Sequence, residues 1–371
     1  MEPLDVGRVL VGLVLLVGGG ELLVRGASAL ASRAGISPLV VGLTVVAFAT
    51  SAPELAVTVD AVLGGQTDLA IGNVVGSNIA NVLLILGISA VVVPLVVHTQ
   101  VVRVDVPVMV GLSGLALLLA LDGSLGRLDG LLLLSLLVAH SVLAVVVSRR
   151  DADEPATARA SRGPGVVVSV VLVAVGVALL VLGARLLVAG AVSIATALGV
   201  SGLVVGLTVV AVGTSLPELA TSIIAALRGE RDMAVGNIVG SCIFNIGVVL
   251  GLPALLVPGG EGLEVPGAAL ALDIPLMIAA AVALAPVAFT GFTVARWEGT
   301  LFVLLYAAYV GYVVLDATGH DALEGFSLAM AVFVLPLVGV ALVATTSYEL
   351  GRWAQRRELA GGGRSSGGAA P

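Results

Sequence analysis

The chain has 371 residues, 59% hydrophobic and only 11% charged, with a net charge of −7 and a mean hydropathy of +1.18. Soluble globular chains carry about 25% charged residues, so this composition excludes a water-soluble fold and points to an integral membrane protein. The acidic balance excludes a nucleic-acid partner, which needs a basic face, and the single cysteine, Cys242, excludes an intrachain disulfide framework.

A membrane crossing needs ~20 mostly apolar residues. In chain order such runs fall near 6–24, 36–63, 69–97, 104–121 and 128–147, then near 165–188, 200–227, 233–257, 267–290, 297–315 and 325–347. They are continuous rather than alternating, which predicts α-helical spans and not a membrane β-barrel. The first run follows Met1-Glu2-Pro3-Leu4-Asp5, without a basic leader or a small-residue cleavage site, so it is expected to be a retained helix. The polar stretch from Arg149 to Gly165 is too short to be an inserted regulatory domain, and the Gly/Ser-rich end from Ala360 to Pro371 is expected to be disordered.

All 17 basic residues are arginines. Placing the N-terminus outside and the C-terminus inside leaves only Arg8, Arg127 and Arg185 outside, as the excess of basic residues in cytoplasmic loops requires.

The decisive signal is an internal repeat. The stretch Gly42-Leu-Thr-Val-Val-Ala-Phe-Ala-Thr-Ser-Ala-Pro-Glu-Leu-Ala56 recurs at Gly206–Ala220, with twelve of fifteen positions identical and an offset of 164. At that offset Gly72-Asn73, Gly76-Ser77 and Asn81 meet Gly236-Asn237, Gly240-Ser241 and Asn245. Five spans separate equivalent points, so the second copy enters from the opposite side. The expected fold is therefore an all-α polytopic membrane protein of two inverted-topology five-helix repeats, with an eleventh C-terminal helix. Its parts are repeat one at 1–148, a cytoplasmic linker at 149–164, repeat two at 165–315, the added helix at 316–348 and a cytoplasmic tail at 349–371. Inverted repeats of this kind build secondary transporters with sites near the midplane.

Glu54 and Glu218 fall in the middle of apolar spans, where a carboxylate costs about 2.5–3.5 kcal/mol. A bound cation is the simplest compensation; a protonated acid holding helices together is the structural alternative. Pro53 and Pro217 lack the N–H that the carbonyls of Ala49 and Gly213 would accept, so each helix is expected to break where Thr50-Ser51 and Thr214-Ser215 project. Such backbone is tolerated at this depth only around a cavity or inside protein. Hydroxyls, amide oxygens, free carbonyls and carboxylates make an all-oxygen site suited to a hard cation, and the absence of a Cys/His cluster argues against zinc or copper. Ser77 and Asn81, like Ser241 and Asn245, are four apart and share one helix face, with Asn73 and Asn237 a turn back; these are read as cation ligands. The paired glycines 72/76 and 236/240 are read as close helix packing.

At these residues the chain resembles the cation/Ca²⁺ exchanger superfamily, specifically its prokaryotic sodium/calcium exchanger branch, whose repeats carry G-T-S-x-P-E followed by G-N-x-x-G-S-N-x-x-N. The resemblance covers spans one to ten. It implies that spans two, three, seven and eight surround four central cation sites. It assigns as ligands Glu54, Glu218, Thr50, Ser51, Ser77, Asn81, Thr214, Ser215, Ser241 and Asn245, with the carbonyls of Ala47 and Ala211. It further implies an antiporter, not an enzyme, which exchanges about three Na⁺ for one Ca²⁺ and is therefore electrogenic. Na⁺ and Ca²⁺ are then the transported ions, with no cofactor, no obligatory protein partner, and the lipid bilayer of a prokaryotic inner membrane as surroundings. Ala49 stands in place of the usual glycine and Cys242 in place of the usual asparagine. Asn245 replaces an aspartate found in some relatives, which argues against potassium co-transport. The rivals are a proton/calcium exchanger, whose motifs usually lack Thr-Ser-x-Pro, a passive cation channel, and a membrane scaffold.

Outside the motifs, Glu21 and Arg25 are spaced for an i,i+4 ion pair. Asp60 is read as a solvated helix end, Asp273 carries no spacing argument, and His98, His140 and His320 form no cluster, with His140 expected to make a packing hydrogen bond.

Overall fold

The computed structural model describes residues 3–151, 164–257, 262–289, 291–344, 347 and 351. The linker at 152–163, Pro258 and the terminal tail lie outside them. Among the described residues nine helices are long and apolar enough to cross a membrane, and a bent pair makes a tenth. In chain order they are α1 (Pro3–Ala34), the pair α2a (Pro38–Thr50) and α2b (Ala52–Leu63), α3 (Thr67–Val92), α4 (Val101–Asp122), α5 (Arg127–Arg149), α6 (Val166–Ala197), α8 (Arg231–Leu256), α9 (Ala269–Ala288), α10 (Arg296–Ala317) and α11 (Ala322–Ala344). The repeat counterpart of the bent pair is built from shorter pieces, α7a (202–213) and α7b (Leu216–Leu227).

The apolar runs locate the crossings but understate α1 and α6. Each has 32 residues, about 48 Å at 1.5 Å per residue, against ~30 Å of hydrocarbon. Both must therefore tilt or project beyond the bilayer core. They pack on each other through glycines. A Cβ on Gly19 would lie 2.8 Å from the Gly176 carbonyl oxygen, and one on Gly12 would lie 2.7 Å from that of Gly183. No side chain fits there, so the two backbones run in direct contact and behave as one unit.

α3 and α8 form the centre, with 78% and 83% of their apolar stretches buried, against 0% in α11. The eleventh helix is thus peripheral, touching chiefly α10.

Two short antiparallel ribbons also occur, which the all-helical reading did not foresee. β1 (Leu95–Val96) pairs with β4 (Thr293–Val294), and β2 (Ser124–Leu125) pairs with β3 (Leu263–Glu264). Each joins a loop of one repeat to a loop of the other. The β1 loop follows α3 and the β4 loop follows α9, so these two loop ends share one membrane face. The β2 and β3 loops, after α4 and α8, share the opposite face. That pairing is what inversion of the second repeat demands.

Candidate cation site

The site begins with two helix breaks. α2a and α2b meet at 43°, with Ser51 at φ −79°, ψ 0° between them. Ser215 takes nearly the same conformation, φ −89°, ψ 7°, at the start of α7b. Pro53 and Pro217 sit in the first turn of the new helices, where a missing N–H costs nothing. The prolines therefore restart helices rather than kink them. Glu54 and Glu218 also fall in those first turns, at the electropositive end of each new helix. Just upstream, π-helical turns at Gly42–Val46 and Gly206–Val210 occupy identical repeat positions. Such turns often accompany functional sites.

The breaks bring the two repeats together across the centre. Ser215 Oγ donates to Glu54 Oε1 at 3.4 Å. Reciprocally, Thr50 and Ser51 stand beside the Glu218 carboxylate, and the two glutamates are near enough to repel one another. Thr50 Oγ1 lies 3.2 Å from Asn237 Oδ1, 3.4 Å from Ser241 Oγ and 3.4 Å from the Ala47 carbonyl oxygen. Glu54, Glu218, Asn81 and Asn245 are each 1% exposed, Ser51 and Ser77 3%, and Ser241 0%. Ala211 begins the last turn of α7a, and its side chain lies outside the described ones.

What distinguishes this cluster is the number of buried oxygens without a hydrogen-bond partner: Ser51 Oγ, Glu54 Oε2, both Glu218 oxygens, Asn81 Oδ1, Thr214 Oγ1 and Asn245 Oδ1. Leaving one such group unsatisfied costs about 1–3 kcal/mol, and each calls for a specific reason. All are acceptors or can turn a lone pair inward, and three belong to the two carboxylates. Among the described residues no three His, Cys, Asp or Glu side chains gather to hold a metal. The arrangement therefore offers two negative charges and a shell of neutral oxygens, the chemistry of a hard-cation site.

Three readings of the sequence need correction. Asn73 and Asn237 spend their amide groups on helix contacts: Asn73 Nδ2 donates to Thr58 Oγ1 at 2.9 Å and to the Glu54 carbonyl at 3.1 Å. Asn237 Nδ2 likewise donates to Ser222 Oγ at 3.0 Å. They fasten α3 to α2b and α8 to α7b, one turn from each glutamate. The glycine pairs are not equivalent either. A Cβ on Gly236 or Gly240 would strike the backbone of Leu39 or Leu43 in α2a, whereas Gly72 and Gly76 have open space. Finally, Glu21 pairs with Arg228 rather than Arg25, because α1 just past its middle lies against the end of α7b.

Sequence reasoning missed Thr58, Ser222 and Asn78. The first two are repeat partners four residues past each glutamate, a spacing that could have revealed them. Asn78 lies at the repeat axis, facing its own counterpart Cys242: its Nδ2 donates to the Cys242 carbonyl at 3.3 Å. Asn245 Nδ2 donates to Asn78 Oδ1 at 3.0 Å, which aims the unpartnered Asn245 Oδ1 the other way. Replacing Asn78 with Ala frees that amide. The expected result is calcium binding weakened by about 1 kcal/mol, roughly five-fold, measurable by calorimetry. Elsewhere, His140 Nε2 comes within 3.5 Å of Asp105 in α4, but neither side chain makes a hydrogen bond there, so the packing hydrogen bond expected of His140 does not form.

The glycine asymmetry opens the site to one side. A cavity of about 370 Å³, lined by Gly72, Gly76, Ser77, Gly206, Thr214 and Asp273 among others, separates α3 from α7a. On the opposite side, where α8 meets α2a, the same repeat positions are closed.

The pattern of the family described as "Sodium/calcium exchanger protein" matches residues 5–146 and 168–315. The chain belongs to the sodium/calcium exchanger family. This exchanger is 40% identical over 309 residues to the "Putative antiporter CaxA" of Alkalimonas amylolytica, covering 82% of the chain and 96% of that protein. It is 32% identical over 339 residues to "Sodium/calcium exchanger MaX1" of Methanosarcina acetivorans, covering 81% and 96%. Among solved structures it is similar to the sodium-calcium exchanger NCX_Mj soaked with Na⁺ and Sr²⁺. There the TM-score is 0.71 and the identity 32%, over 85% of this chain and 99% of that one. The exchanger is thus an integral membrane transporter of the cation/Ca²⁺ superfamily and not an enzyme. The family match ends at 315, before α11 begins at Ala322.

Proposed function

We propose that the chain is a secondary antiporter that exchanges Na⁺ for Ca²⁺ at one oxygen site shared between the repeats, by alternating access. The observation that carries this reading is the pair of buried carboxylates, Glu54 faced by Ser215 and Glu218 by Thr50 and Ser51 of the other repeat, each with unpartnered oxygens. Two carboxylates neutralise one Ca²⁺. Three Na⁺ leave one excess positive charge, so a three-for-one cycle moves net charge, worth about 2.3 kcal/mol per 100 mV. Glu54 and Glu218 cannot serve both ions at once, and that competition couples the fluxes. Thr50, Ser51, Ser77, Asn81, Thr214, Ser215, Ser241 and Asn245, with the carbonyls of Ala47 and Ala211, complete the ligand set. The basic loops support an N-terminus outside and a C-terminus in the cytoplasm of a prokaryotic inner membrane, and 41% identity to the "Inner membrane protein YrbG" of Escherichia coli agrees with that membrane.

The test uses purified protein in liposomes, radiolabelled calcium, and sodium and proton gradients imposed separately. Uptake should follow the sodium gradient and generate a current. Uptake that follows the proton gradient alone would replace sodium with protons as the counter-ion.

A further inference from the structure

The repeat offset also pairs contacts that are closed on one side of the molecule and open on the other. On the closed side α1 packs against α7b. A Cβ on Gly20 would touch Ile224 at 2.6 Å and lie 3.5 Å from the Ala220 carbonyl, and the adjacent Glu21 forms an ion pair with Arg228 at the C-terminal cap of α7b. Adding or subtracting 164 gives the counterparts: Ala184 for Gly20, Ala56 for Ala220, Asp60 for Ile224, Arg185 for Glu21 and Gly64 for Arg228.

These counterparts do not touch as their partners do. Ala56 of α2b and Ala184 and Arg185 of α6 line a cavity of about 310 Å³ that holds the two helices apart. Among the described residues no ion pair involves Arg185. Asp60, also exposed, lies one turn beyond Ala56 on α2b, beside Val57, which lines this cavity too. When the molecule exchanges the roles of its halves, Ala184 must close on Ala56 and Asp60 as Gly20 closes on Ala220 and Ile224. Arg185, next to Ala184, is then delivered to Asp60.

We propose that Arg185 and Asp60 form an ion-pair latch in the alternate state, filling the role that Glu21–Arg228 fills here, with the acid standing one turn before Gly64, the strict counterpart of Arg228. One pair forms as the other breaks, so the four residues position the halves of the exchanger without touching the transported ions. The signs are reversed between the halves, acid on α1 and base on α6, which is why identity-based comparison of the repeats conceals the correspondence. The inference rests on the alternating-access reading, but its test reports closure directly and needs no calcium flux.

Val57, 37% exposed on the cavity wall, is replaced with Cys, and its reaction with a hydrophilic maleimide is timed in purified protein in lipid nanodiscs. The native Cys242 is buried and stays. Arg185→Gln and Asp60→Asn should each speed labelling by roughly two- to five-fold, the range an accessible ion pair supplies. The double variant should be no faster than either single, and the charge reversal Asp60→Arg with Arg185→Asp should restore the slow rate. Glu21→Gln and Arg228→Gln should slow labelling by releasing the opposite latch. Additive effects of the two outer substitutions, a failed charge reversal, unchanged rates, or Glu21 and Arg185 variants shifting in the same direction would overturn the latch.

Discussion

Replacing either Glu54 or Glu218 with Gln should abolish calcium exchange while leaving the fold as stable as before, or more so. Both carboxylates are 1% exposed, and three of their four oxygens have no hydrogen-bond partner. With one carboxylate gone, a bound divalent cation keeps an uncompensated charge in a buried, membrane-depth site. Breaking a buried charge pair in this way costs about 3–5 kcal/mol, on the order of 10²–10³-fold in calcium affinity. In the ion-free protein the same change removes a buried charge that nothing pairs, so thermal unfolding should not move downward. Radiolabelled calcium flux and a thermal melt on the same preparation measure both halves of the prediction. Robust exchange by either variant would remove the glutamates from the site; a large fall in melting temperature would make them structural.

The second large effect separates two glycines at the same repeat position. A Cβ on Gly240 would lie 2.7 Å from the Leu43 Cα and carbonyl oxygen, whereas Gly76 has nothing within 4 Å. Gly240→Val must therefore push the α2a backbone away. That overpacking costs about 1–3 kcal/mol and should appear as a lower melting temperature with the closed side loosened. Gly76→Val meets no obstacle here and gains a few tenths of a kcal/mol in helix propensity. It should fold and bind calcium, yet transport at under a tenth of the normal rate, because α7a cannot settle on α3 in the exchanged state. Full exchange by Gly76→Val would show that the cavity between α3 and α7a never closes in that manner.

That asymmetry is also what a symmetric sequence could not reveal. Gly76 and Gly240 stand in matching motifs, and on the proposed alternating-access cycle both repeats adopt both packings in turn, of which one structure shows one. The proposed ligands were legible for the opposite reason. Thr, Ser, Pro, Glu and Asn recurring in order within apolar spans stand out against their surroundings, and the prolines announce where the helices restart. Contacts between distant residues of no motif were out of reach. Glu21 has a plausible partner in Arg25 one turn away, and only the packing of α1 on α7b gives it to Arg228. Asn78 stands in the family motif, but its repeat counterpart is Cys242, so the internal repeat did not mark it, although it orients Asn245. The ribbons, two residues long on each strand, are set by loop geometry that leaves no periodic trace in the sequence.

The most direct measurement of the central claim is a calcium-binding titration on the purified protein at a series of sodium concentrations. If one shared oxygen site serves both ions, sodium should raise the apparent calcium Kd without lowering the number of calcium ions bound at saturation, and the rise should steepen with more than the first power of sodium. A calcium affinity that stays constant as sodium increases would contradict a shared site and, with it, coupling by competition.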